Sequence, residues 1–143
     1  MSYSIVRADD VEDVYAGSDV PGEFRSLKDE LACEQVAVTL IRVPPHSDFE
    51  QGTGHSHERI EEIYIVTRGV LTMRFDEDVE EVEAGSVVRV GPETVRSHRN
   101  EGDDPVEIWA VSKRLESGDS IKVDEFWEPA SPAASRSRNR ADG

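Results

Sequence analysis

Apolar and β-branched residues along this chain fall into short runs, and turn-forming residues break those runs at close intervals. That is the pattern of many short strands. Over 35–43 the run Gln-Val-Ala-Val-Thr-Leu-Ile-Arg-Val predicts a strand that stops at Pro44 and Pro45. Further strands are predicted over 62–67, 70–75, 79–83, 86–90, 95–100 and 106–112, with Gly69, Gly85, Gly91-Pro92 and Gly102 among the turn residues between them. Residues 4–30 read as an irregular arm with a short strand over 4–7, because Gly17, Pro21 and Gly22 interrupt any periodicity. No amphipathic helix competes with the strands. The pattern therefore predicts an all-β chain, an antiparallel barrel or sandwich, and a double-sheet jelly roll meets both the strand count and the need for an enclosed pocket.

The expected organisation is an N-terminal arm over 1–34, a barrel over 35–112, a docking segment over 113–128 and a disordered tail over 129–143. In the docking segment Ile121, Val123, Phe126 and Trp127 offer a strand or a patch that packs on the barrel or a second subunit. The tail has almost nothing to bury.

Length and charge narrow the partners. At 143 residues the chain is one domain by the usual prior. A formal charge of -15 argues against nucleic acid or an anionic membrane as partner, since both would be repelled. The one basic cluster is Arg136, Arg138 and Arg140 in the tail. Lys28, Lys113 and Lys122 are the only lysines, and carboxylates crowd nearly every loop, a balance that looks like halophilic adaptation. At molar salt the Debye length is about 3 Å, so the self-repulsion is screened. Cys33 is alone, which leaves no intrachain disulfide. The first residues lack the apolar run of a signal peptide and no later stretch reaches bilayer-spanning length, so cytoplasm is the expected location.

Candidate chemistry lies between His55 and Gly69. Residues i and i+2 of an extended segment face the same way, so His55 and His57 reach one point, and Glu62 returns to it from the start of the next strand. Imidazole with carboxylate suits divalent zinc, iron, manganese or nickel. The plain alternative is a solvated turn rich in His, Glu and Ser.

The spacing His-x-His, four residues, Glu, six residues, Gly resembles the first motif of the cupin superfamily at each of those positions. The glycine expected ahead of the histidines is replaced by Phe49. The resemblance covers about 35–112 and implies a single-domain cupin, a jelly-roll barrel or antiparallel double-stranded β-helix. The family's second motif runs Gly, five residues, Pro-x-Gly, two residues, His, three residues, Asn. Laid on Gly85 through Asn100, it places Gly91 at the proline, Glu93 at the second glycine and Arg96 at the histidine that supplies the fourth ligand.

Arginine is permanently cationic and has no lone pair to give a metal, so Arg96 is not a ligand. Three readings follow. His98, on the same strand face but displaced by about 6.6 Å, completes the site if a slip or bulge re-aims it. Alternatively Arg96 pairs with Glu62 and stands where a metal would have stood. In the third reading Arg96 points at a ligand and grips its carboxylate or phosphate bidentately beside a metal on His55, His57 and Glu62. Tyr64 shares the parity of Glu62 and lines the pocket, or is simply core. Trp109 reads as packing and His46 as exposed. Glu61 is a weaker candidate than Glu62, which alone keeps the six-residue gap to Gly69.

Resemblance to a superfamily with so many activities selects no reaction. The expectation is a small cupin whose metal-associated pocket binds or transforms a small anionic metabolite, the metal acting as Lewis acid or oxygen-binding centre if chemistry occurs. Metal ligands would be His55, His57 and Glu62 with His98 in reserve; Arg96 and Tyr64 would face the substrate. The alternative is a metal-free binding or sensing cupin in which Arg96 replaces the metal, and a third class is a dimeric structural protein with a vestigial pocket. The resemblance also suggests a homodimer.

Overall fold

A computed structural model describes residues 2–128. Ten strands follow one short 3-10 turn at Ala8–Asp10: β1 Glu23–Ser26, β2 Val36–Val43, β3 Gly54–His57, β4 Glu62–Arg68, β5 Val70–Phe75, β6 Asp78–Glu83, β7 Val87–Val90, β8 Arg96–Arg99, β9 Val106–Lys113 and β10 Ser120–Val123. They form two five-stranded sheets, β1-β2-β9-β4-β7 and β10-β3-β8-β5-β6, and the strand pairs are antiparallel. This is the all-β jelly roll that the sequence pattern predicts.

Alternation sets what lies between the sheets. In β9 Val106, Ile108 and Ala110 are buried, in β4 Tyr64 and Val66, and in β5 Leu71 and Met73. Successive strand residues point to opposite faces, so these aim inward and their neighbours outward. With Ile41, Val43, Phe49, Val82 and Val90 they form one core cluster. At Gly69 the tight β4–β5 turn requires glycine on two counts: its φ is +77°, and an added Cβ would stand 2.4 Å from the Pro105 carbonyl oxygen.

The arm differs from its expected form. Residues 4–7 carry no strand, and Ile5 is 85% exposed. The strand is instead β1, which pairs with the edge of β2 from Glu23 opposite Arg42 to Ser26 opposite Thr39. A strand exists only where a partner edge accepts its hydrogen bonds, and β1 takes the edge that β2 offers. The arm also delivers side chains. Val11 and Leu27 cluster with Leu40, with Trp109 packed against them on the outer face of sheet one. Tyr15 and Phe24 meet Phe49 at centroid distances of 5.6 and 6.1 Å.

Past the barrel, β10 pairs with β3 and so extends the second sheet. The chain then folds Phe126 and Trp127 onto that sheet. Trp127 Nε1 donates to Ser97 Oγ at 2.8 Å, and the Arg99 and Arg74 guanidinium carbons lie 4.2 and 4.9 Å from the Trp127 and Phe126 ring centroids. The expected tail over 129–143, with Arg136, Arg138 and Arg140, lies outside the described residues. Among the described residues no helix is long and apolar enough to cross a membrane.

Candidate metal centre

β3 is four residues long, and its alternation buries Gly54 and Ser56 on one face while His55 and His57 occupy the other. β8 runs beside it with Arg96 directly opposite His55. Glu62 opens β4 in the other sheet. The two sheets therefore bring His55, His57 and Glu62 together, each offering a ligand atom, with all three within 4.8 Å of one another. Glu62 Oε1 stands 3.8 Å from His55 Nε2, 3.8 Å from His57 Nε2 and 3.7 Å from Arg96 Nε.

Those separations are too long for hydrogen bonds. Two donors each about 2.1 Å from a shared ion stand at most about 4.2 Å apart, so Glu62 and each histidine are spaced to share a metal. Glu62 Oε1 is buried and has no hydrogen-bond partner. An acceptor left in that condition costs free energy until something occupies the point it faces. The donor set thus fits a divalent metal.

Two carboxylates that the sequence reading did not single out support the histidines. Asp119 Oδ1 accepts from His57 Nδ1 at 2.8 Å, which fixes the tautomer and turns the Nε2 lone pair toward Glu62. Asp119 is itself held by the Arg59 and Ile60 amides, which donate to Oδ2 at 2.9 and 3.3 Å. Burial pushes its pKa up, but the Arg59 amide, His57 and the Ile60 amide outweigh that and bring it down to about 2. Glu50, from the loop ahead of β3, places Oε1 3.3 Å from His55 Nδ1. Its loop is braced by Asp48, which accepts from the Glu50 and Gly52 amides and from Arg99. Burial lowers the His55 pKa while Glu50 and Glu62 raise it, with a net rise to about 9. For Glu62 burial acts upward, and His55 and Tyr64 bring the net shift below the usual value.

Arg96 is wholly buried. Its Nη1 donates to the Thr94 carbonyl at 2.8 Å, while Nε and Nη2 have no hydrogen-bond partner. His98 is 1% exposed and packs between Phe49, at 5.8 Å and 18° between ring planes, and Tyr64, at 6.4 Å. It does not belong to the His55–His57–Glu62 group: its Nε2 lies 3.9 Å from Glu50 Oε1. β8 keeps unbroken register against β5 from Arg96 to Arg99, so no bulge turns His98 toward the two histidines. Burial lowers the His98 pKa and keeps the ring neutral. Tyr64 is buried behind Glu62, where burial first and the Glu62 charge second raise its phenol pKa.

The remaining candidates lie elsewhere. Glu61 is on the surface, paired with Arg89 at 2.6 Å, and exposed His46 pairs with Asp103 at 2.6 Å. Glu93, at the position of the motif's second glycine, keeps the left-handed backbone expected of glycine, with φ 71°, and its amide donates to the His57 carbonyl at 2.7 Å. No sequence pattern marks Asp119, which lies 62 residues from the histidine it holds. Glu50 is one of 31 acidic residues and is equally unmarked.

A family model described as "Cupin domain" matches residues 39–112. No curated protein matches the chain significantly. Among solved structures, a sugar phosphate isomerase from a cupin superfamily, from Silicibacter pomeroyi, is 19% identical with a TM-score of 0.66, covering 91% of this chain and 98% of that one. A predicted oxalate decarboxylase from Thermotoga maritima is 24% identical with a TM-score of 0.63, over 78% and 100%. The match to an Acidithiobacillus ferrooxidans structure covers 71% of this chain and only 63% of that chain, at 20% identity and a TM-score of 0.59. At these identities the likeness is one of fold.

Proposed function

For a chain that belongs to the cupin domain family, as the match over residues 39–112 shows, we propose a small-molecule-binding role in which His55, His57 and Glu62 hold a divalent metal and Arg96 receives the acid group of a small anionic metabolite. The observation that carries this reading is Glu62 Oε1, buried without a hydrogen bond at 3.7–3.8 Å from three nitrogens. Charge balance supports it. Glu50, Glu62 and Asp119 contribute three negative charges against one positive from Arg96, leaving two, which a divalent cation neutralises when both histidines are neutral.

When bound, the metal supplies a Lewis acid with coordination positions left open by the three protein ligands. Asp119 holds the His57 ring and Glu50 the His55 ring. Arg96 Nε and Nη2 are the free donors of a planar fork suited to a carboxylate or phosphate. Sugar phosphates and oxalate, named for the relatives from Silicibacter pomeroyi and Thermotoga maritima, are both small anions, which is consistent with this ligand class.

A second reading is favoured by the complete burial of Arg96 beside Glu62. In it the guanidinium takes the metal's place and the pocket binds a ligand metal-free. Elemental analysis of tag-free protein, purified in high salt without chelators beside His55→Ala/His57→Ala, separates the two. Near-stoichiometric metal that disappears in the variant is the expected result. Metal absent from both, even after reconstitution, would overturn the metal reading in favour of the second. A homodimer in a cytoplasmic setting belongs to the same proposal, read out by sedimentation and by cell fractionation.

A further inference from the structure

The outward face of sheet one is only partly covered by the arm. Beyond that cover Val111, Ile63 and Arg89 lie in one row across β9, β4 and β7, each paired with the next in register. Their strand neighbours Glu62, Tyr64 and Ala110 point into the barrel, so this row points out. It floors a cavity of about 910 Å³, a size suited to a metabolite.

The charge around this cavity runs against that of the molecule. The chain has 31 acidic residues to 16 basic ones, yet the cavity is lined by Arg59, Arg89, Lys113 and Arg114 against Glu34 and Glu61. Arg89 pairs with Glu61 and Arg114 with Asp29, at 2.6 and 2.8 Å. The side chains of Arg59 and Lys113 make no ion pair or hydrogen bond among the described residues. In a protein with nearly two carboxylates per cation, two unpaired cations beside the apolar Ile63 and Val111 form a local positive field that attracts an anion.

We propose that this cavity is a second binding site, separate from the barrel pocket, for a small organic anion with an apolar body. The carboxylate or sulfonate head would meet Arg59 and Lys113, and the apolar body would lie on Ile63 and Val111. The site adjoins the metal-holding side through the Arg59–Ile60 turn, whose amides hold Asp119, but shares no ligand side chain with it.

The test is calorimetric titration of the full chain with octanoate, beside octylammonium as the cationic counterpart. Octanoate should bind at one site and octylammonium should not. Arg59→Glu/Lys113→Glu should weaken octanoate at least about tenfold, and Lys113→Glu alone by a smaller factor with an unchanged melting temperature. His55→Ala/His57→Ala should leave it within about twofold, so failure of the metal reading does not touch this one. Octanoate binding that ignores the charge reversals, equal binding of octylammonium, or loss of binding in the histidine variant would each overturn the proposal. So would absence of octanoate binding to the unmodified chain, and a sedimentation shift in the charge-reversed protein would then assign the face to a second copy of the chain.

Discussion

At the scale of single residues, Asp119 holds the His57 ring and Arg96 stands beside Glu62. A carboxylate that orients a metal-bound imidazole typically governs affinity by 10–100-fold. Asp119→Asn should therefore weaken zinc binding by about that factor in a competition titration, while Glu61→Gln, on the surface, should leave it unchanged. The Asp119 carboxyl has its pKa lowered from 3.8 to about 2 in the fold, so the unfolded chain binds its proton first. Its stabilising contribution is complete above pH 4 and is lost as pH falls through 2. Acid unfolding followed by circular dichroism should show a shallower slope in that window for Asp119→Asn; an identical slope would remove Asp119 from the acid response. Arg96 faces His55 across β3 and β8, so Arg96→His adds an imidazole beside the group and should tighten metal binding about tenfold or more. Unchanged affinity would show that position 96 does not reach the metal.

At the scale of the element, one turn and one strand show how backbone and packing position the His55–His57 strand. Glu93 occupies a left-handed conformation that costs a non-glycine residue roughly 1 kcal/mol, offset in part by the greater unfolded-state freedom of glycine. Glu93→Gly should raise stability by up to about 1 kcal/mol in denaturant titration. In β3, an added Cβ at Gly54 would lie 2.6 Å from Phe126 Cδ2, so the strand bearing His55 and His57 is flat on its back in order to receive the docked C-terminal segment. Gly54→Val should destabilise by about 1–3 kcal/mol and loosen the Phe126–Trp127 contacts, visible as a red shift and quenching of Trp127 fluorescence. Such strands were legible because alternation is local. β1 was not, since Glu-Phe-Arg-Ser at 23–26 has no strong pattern and becomes a strand only against the edge of β2. Within the docking segment expected over 113–128, the apolar residues divide between β10 and the folded-back aromatic pair for the same reason: each half takes the partner that the second sheet presents.

At the scale of the whole molecule the formal charge of -15 opposes compaction. Raising potassium chloride from 0.1 to 2 M should raise the melting temperature by several degrees, through screening of carboxylates spread over the surface; a flat response would dismiss the salt-adapted reading. The sequence by itself determined the all-β class, because period-two alternation and turn residues act within a few positions of one another. It likewise determined that His55 and His57 share a face, and that Arg96 is no ligand, since guanidinium chemistry does not depend on context. Only the tertiary structure decided which carboxylates support the histidines. Asp119 and Glu50 reach them by chain reversals that bring distant segments together, and nothing in their own neighbourhoods encodes that meeting. The same holds for the outer cavity. The register of β9, β4 and β7 sets Val111, Ile63 and Arg89 side by side, and the end of β9 and the approach to β4 bring Lys113, Arg114 and Arg59 to the same cavity, because strand pairing sets neighbours across a sheet by hydrogen bonding and not by chain order.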